Sequence, residues 1–380
     1  MNQATVEFRH VSKQYGPNQG AVVDLSLLVP AGEICVLVGP SGCGKTTSLK
    51  MVNRLVEPSS GQVLIDDEDV MSVEVTTLRR RIGYVIQQVG LFPHQTVADN
   101  IATVPRLLGW PKQRVQHRVE ELIELIGLDP ATVRNRYPAQ LSGGERQRIG
   151  VARAMAVEPP VMLMDEPFGA VDPIVRERLQ NEFLRLHRAL GTTVLFVTHD
   201  IDEAIKMGTR VAVMQQGGHL AQYAPPTELL LRPANDFVAR FVGTDRGLKR
   251  LTLLTVGDVQ IERGTVARVG DLARNARARA LDAGDSYVLL LGRDERPQGW
   301  IKVEQLASDE MLTADNVDAS SPLVTFESTL RDALSMLLAS AVQTAVVVDE
   351  RGTYLGVLTL EGLGTAFRAE PEPVAAASVA

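Results

Sequence analysis

Three things this sequence largely lacks narrow what it can be. Every apolar run is broken by Asp, Glu, Arg or Pro before the ~18 residues that a membrane-spanning helix needs. The N-terminus, MNQATVEFRHVSKQYG, has no basic stretch followed by an apolar core, so the chain is expected neither to enter nor to cross a membrane. Cysteine is nearly absent: Cys35 and Cys43 are the only two in 380 residues. That excludes a disulfide framework, fits a reducing cytosol and predicts two thiols. A basic surplus is missing as well, since the net charge is -7, which argues against general attraction to nucleic acid.

A chain of this length is too long for one small core, so two or more domains are expected. Up to about residue 243, short apolar runs alternate with helical patterns: EICVLVG then TTSLKMVNRL, VMLMDEP then IVRERLQNEFLRLHRAL, TTVLFVTHD then EAIKMG. That rhythm predicts an α/β parallel sheet. QHRVEELIELIGL and ERQRIGVARAMAVE read as further helices, and the region from Gly16 to Gly32 as a smaller antiparallel part. Beyond Phe241, two segments (250–308 and 311–368) each read as strand, helix and paired strands, an internal repeat. Residues 369–380 read as a disordered tail.

GPSGCGKT follows the buried run ICVLV and opens a helix, the setting in which a glycine-rich loop cradles phosphate. Gly39, Gly42 and Gly44 let the backbone turn its N–H groups toward an anion, and the helix start adds partial positive charge. Pro40, Ser41, Cys43 and Thr47 complete the expected nucleotide-binding set. Lys45 is expected to reach the β- and γ-phosphates, and Thr46 to ligate Mg²⁺. Cys43, beside Lys45 and a helix start, is placed where a thiol pKa falls; alkylation there is expected to block nucleotide binding, with ATP protecting.

VMLMDEP is a buried strand ending in two acids. Asp165, last in the strand, is the expected Mg²⁺ carboxylate, and Glu166 the group that orients or deprotonates the attacking water. The next strand ends in His199, placed to bond the γ-phosphate or hold the water. A second glycine-rich helix start, LSGGERQ, begins at Leu141: Ser142 can cap it, and Gly143 and Gly144 permit close backbone approach. Two cradles in one chain make sense if the second closes over a nucleotide held by another copy, giving a head-to-tail homodimer with two composite sites.

Over its first 240 or so residues the sequence resembles the ATP-binding subunits of ABC transporters. That resemblance implies a P-loop ABC-type ATPase domain at 1–243, with a parallel sheet core, an antiparallel subdomain and a helical subdomain, binding ATP and Mg²⁺. It also implies adenine stacking on Tyr15, contact of Gln87 (in YVIQQVGLFPH) with Mg²⁺ and water, and a contact of Leu141, Ser142, Gly143, Gly144, Glu145 and Gln147 with ATP across the dimer. Asp172, closing GAVD, resembles the loop that crosses that dimer. The surface around Gln87 would meet integral-membrane permease subunits, with Leu91 and Phe92 as an apolar docking patch, placing the chain peripherally on the cytoplasmic face of the membrane.

KMVNRLVEPSSGQVLIDDEDV and the C-terminal repeats resemble importers of quaternary-amine osmoprotectants (glycine betaine, proline betaine, carnitine, choline), which carry tandem CBS domains and work with an extracytoplasmic substrate-binding protein. In the repeats Gly362 and Gln305 stand where a ribose-binding Asp is usual, and Lys302 where Thr or Ser is, against ordinary adenosine binding. Eight positive charges against four acids between Asp245 and Ala280 would suit an anionic lipid or a phosphate messenger, or form a solvated helix face. Another solute as cargo, or a soluble ABC protein acting on DNA or translation, are the rival readings; the coiled-coil insertions, basic surface or duplicated ATPase domain of such clamps are missing.

Overall fold

The apolar runs of the first 240 residues become a parallel sheet. The computed structural model describes residues 3–16, 20–86, 90–169, 171–306 and 309–368, and the chain divides into two compact units, residues 1–244 and 245–380. The strands of the first unit are β1 (Val6–Gln14), β2 (Gly20–Val29), β3 (Ile34–Val38), β4 (Ser60–Ile65), β5 (Glu68–Asp69), β6 (Ile82–Val85), β7 (Val161–Asp165), β8 (Thr193–Thr198), β9 (Arg210–Gln215) and β10 (His219–Ala224).

Six of them form one sheet in the order β10-β9-β3-β8-β7-β6, parallel except for the β9–β10 pair. Every residue of β3, β7 and β8 is buried, as expected of strands covered on both faces. The other four make an antiparallel sheet, β2-β1-β4-β5. Phe8, Leu25 and Val63 from that sheet share a core with Leu37, Leu163 and Leu195 from the parallel one.

Six helices matter for the site: α1 (Lys45–Val52), α2 (Val97–Ile101), α3 (Lys112–Leu125), α4 (Gly143–Ala154), α5 (Pro173–Leu190) and α6 (Ile201–Met207). α1 packs on β2, β4, β7 and β8, whereas α4 packs on α2, α3, α5 and β6. The two glycine-rich helix starts thus belong to different neighbourhoods of one chain.

In the second unit, β11 (Val266–Arg268), β12 (Tyr287–Leu291) and β13 (Pro297–Lys302) form one small sheet, and β14 (Leu323–Val324), β15 (Thr344–Val348) and β16 (Tyr354–Thr359) another. Each has a parallel pair followed by an antiparallel pair. A helix joins the parallel strands in each, α7 (Ala273–Ala283) and α8 (Leu330–Ala339). The packing crosses the sequence segments: Leu251 and Val256 lie in the core of the second copy with Val324 and Leu358, and Leu312 lies in the core of the first with Ala267 and Ile301. A third cluster, including Leu291, Trp300, Val346 and Val357, joins the copies. The tail expected at 369–380 lies outside the described residues.

Several of the positive charges counted between Asp245 and Ala280 form ion pairs. Arg268 pairs with Glu295 at 2.6 Å, Arg274 with Asp309 at 3.2 Å and Arg279 with Asp271 at 3.2 Å. The acids facing them come from both inside and outside the counted segment. Thr359 Oγ1 accepts from Gly362 N at 3.1 Å: the hydroxyl caps the helix that follows. Among the described residues, no helix is long and apolar enough to cross a membrane.

Candidate active site

The site is built at one edge of three adjacent parallel strands. β3 lies beside β8 and β8 beside β7, with Val38 opposite Thr198 and Asp165 opposite Val197. The loop after β3, the acids after β7 and the imidazole after β8 therefore emerge together at the C-terminal edge, where open α/β sheets bind ligands.

The loop from Gly39 to Gly44 is shaped by close approach. A Cβ on Gly39 would collide with the Met214 carbonyl, and one on Gly44 with that of Ala21; both glycines hold positive φ, 153° and 96°. Around Gly42 there is open space. Lys45, 7% exposed, folds back into the loop, donating to Gly39 O at 2.7 Å and Pro40 O at 3.0 Å. A buried ammonium whose hydrogen-bond partners here are two carbonyls and a thiol sulfur is suited to receive an anion, so the residues present fit a phosphate. Ser41 is exposed, and Pro40, Thr46 and Thr47 are half-buried around the loop.

Thr46 Oγ1 donates to Asp165 Oδ1 at 3.0 Å, so the strand-end acid and the first turn of α1 meet. Burial pushes the Asp165 carboxyl up, against the Thr46 hydroxyl and the Lys50 charge, which pull it down. A hydroxyl and a desolvated carboxylate side by side are the hard oxygen donors a Mg²⁺ ion takes. Glu166 sits at φ 44°, a left-handed backbone worth about 1–3 kcal/mol of strain for a non-glycine residue. Its N–H bonds Val197 O at 2.9 Å, and its Oε1 lies 3.1 Å from His199 Nδ1.

Ser142 and Glu145 close a reciprocal cap on α4: Ser142 Oγ accepts from Glu145 N at 3.2 Å, and Glu145 Oε2 accepts from Ser142 N at 2.7 Å. The Ser142 N–H holds the Glu145 carboxyl below its ordinary range. Ser142 and Gly143 are exposed and Gly144 half-exposed, while Leu141 is buried. Gln147 is turned inward, 3% exposed, with its Nε2 unpartnered. Asp172 caps α5, accepting from Val175 N at 3.2 Å. Tyr15 is exposed, with Lys13 Nζ 5.3 Å from its ring centre. Gln87 lies outside the described residues.

Cys43 is a correction. It is fully buried, with Lys45 Nζ 3.7 Å from its sulfur, and burial outweighs that charge, so the thiol pKa is raised rather than lowered. Sequence reasoning also missed three polar side chains that brace nearby elements, Glu203 and Asn100 buried and Arg153 part-buried. Glu203 in α6 accepts from Gln180 Nε2 in α5 at 2.9 Å, and Asn100 and Arg153 organise the loop after Gly90. The only signal for them was a polar residue set in an apolar frame, as in VADNI and VARAM.

Residues 22–169 match the ABC transporter family. The chain is 46% identical over 359 residues to the osmoprotectant import ATP-binding protein OsmV of Salmonella typhimurium, covering 93% of this chain and 94% of that protein. It is 40% identical over 362 residues to the glycine betaine/carnitine/choline transport ATP-binding protein OpuCA of Bacillus subtilis, covering 94% and 95%. The chain resembles a dimeric bacterial ABC transporter cassette, at 31% identity and a TM-score of 0.52, over 58% of this chain and 98% of that one. The chain belongs to the ABC transporter family as an ATP-binding subunit that hydrolyses ATP. Within that family it falls among the ATP-binding subunits of osmoprotectant importers.

Proposed function

We propose that the chain is the ATPase of an importer of quaternary-amine osmoprotectants of the glycine betaine, carnitine, choline and proline betaine group. It works as a homodimer against permease subunits at the cytoplasmic face of the membrane, with a substrate-binding protein on the other side. The observation that carries the ATPase chemistry is the clustering of Lys45, Thr46, Asp165, Glu166 and His199 at one sheet edge, with the Ser142–Gly144 helix start in another neighbourhood. The cargo rests on what the two relatives are named for, at 40–46% identity over nearly the whole chain.

Each residue then has one task. Lys45 gives up its loop carbonyls to bind phosphate oxygens, and the N–H groups of the loop and α1 complete the cradle. Thr46 and Asp165 would hold Mg²⁺, which supplies charge neutralisation at the phosphates when bound. Gln87, by the family resemblance, would add a ligand. Glu166 accepts the proton of the attacking water, and His199, donating from Nδ1, fixes which way that carboxylate points. Tyr15 stacks the adenine. Ser142, Gly143 and Gly144 present N–H groups to the nucleotide of a second copy, and Asp172 crosses the same interface. Glu145 contributes through the cap it forms.

The second unit, with its two like-ordered sheets, is proposed as a tandem CBS module with a regulatory role. The ion pairs of Arg268, Arg274 and Arg279 weigh against an anionic lipid there, and the Thr359–Gly362 cap against an ordinary adenosine site.

Uptake into proteoliposomes containing the subunit, its permease partners and binding protein tests the cargo. ATP-dependent accumulation of labelled glycine betaine, choline or carnitine is expected; accumulation of an amino acid or a sugar alone would reassign it.

A further inference from the structure

Resting on the reading that loop 91–94 meets the permease, we propose that Arg153 is a positioning residue that carries movement of this loop to the helix start at Ser142. Arg153 lies near the end of α4, the helix that Ser142 opens. Its Nη1 donates to Gly90 O at 2.6 Å, and its guanidinium stands 6.0 Å from the centre of the Phe92 ring. The group is part-buried, and burial pulls its pKa down. Packing alone would be served more cheaply by an apolar side chain, and the carbonyl and the ring are two partners that a cation holds there.

The bodies on either side of this link are stiff. α4 is capped at its start by Ser142 and Glu145. At its end Arg118 donates to Met155 O at 3.1 Å and Ala156 O at 3.2 Å. The loop is tied through Asn100, which is fully buried. Its Oδ1 accepts from Phe92 N at 2.7 Å, and its Nδ2 faces Phe92 O, Gln95 O and Thr96 O at 3.2, 3.2 and 2.9 Å. Phe92, at the tip, remains 40% exposed. A push on Phe92 therefore displaces the backbone at Gly90 and Phe92 together, and Arg153 passes it along a helix braced at both ends. The start of that helix is where the second copy's nucleotide is proposed to sit.

The test compares ATP hydrolysis by the isolated subunit with hydrolysis by the complete transporter in proteoliposomes supplied with glycine betaine and its binding protein. Arg153→Gln is expected to keep the isolated rate and the KM for ATP within about twofold while losing about tenfold of the cargo-stimulated rate. Arg153→Lys, which retains the charge and a single donor nitrogen, is expected to recover part of it. Equal stimulation of Arg153→Gln and wild type would overturn the proposal, as would a loss matched in the isolated subunit and unrelieved by lysine. If Arg153→Gln does not fold, Arg153→Lys decides: its stimulated rate must fall by more than its isolated rate, and an equal fall overturns the proposal. A wild type that cargo and permease fail to stimulate would overturn the functional reading itself, and the proposal with it.

Discussion

Glu166 and His199, at the ends of two neighbouring strands, stand as a close pair, with Oε1 3.1 Å from Nδ1. With the proton on Nδ1, as proposed above, the carboxylate accepts it and Nε2 keeps its lone pair. His199→Ala should free the carboxylate to rotate and slow turnover about 10²-fold with ATP affinity little changed. Because the two act as a unit, Glu166→Gln combined with His199→Ala should cost little more than Glu166→Gln alone. Steady-state hydrolysis and nucleotide titration of the three variants check this.

Glu203 is buried against Gln180, and burial raises its carboxyl pKa. A raised acid contributes most below its unfolded pKa and loses that contribution as pH rises through the folded value. Glu203→Gln, which keeps an acceptor for Gln180, should hold or raise the melting temperature at pH 7–8. The gain should shrink toward pH 4, and thermal melts across that range read it.

The cap on α4 carries the opposite sign. The Glu145 carboxyl is held low, so its contribution is present above about pH 4.5 and is lost as pH falls through the folded value. Ser142→Ala should cost about 1 kcal/mol in denaturant unfolding. Glu145→Gln should flatten the acid side of the stability profile.

For Cys43, burial and a raised pKa mean slow modification. Alkylation of the native protein at pH 8 should run more than about tenfold slower than in the unfolded chain. Mass-mapped labelling rates at the two cysteines decide it, and rapid native labelling of Cys43 would contradict the buried thiol.

Much of the site was legible because its signals are local. The glycine-lysine loop, the acids closing VMLMDEP and the LSGG helix start each lie within a few residues, and the parallel sheet brings the first two together with His199. What was not legible depends on distance or burial. Glu203 and Gln180 meet across two helices, and Arg153 meets Gly90 across 63 positions. Leu251 and Leu312 are apolar in any reading, yet which copy each one covers is settled only by how the chain crosses. The Cys43 shift turned on the balance of desolvation against one nearby charge, and local sequence supplies only the charge.

The most direct measurement for the central claim, hydrolysis of ATP at a site completed by a second copy, is made on Glu166→Gln. Its ATP turnover and its oligomeric state with ATP and Mg²⁺ are followed together. A stable ATP-bound dimer with turnover reduced about 10²-fold or more is predicted; wild-type turnover, or a monomer under saturating ATP, would contradict it.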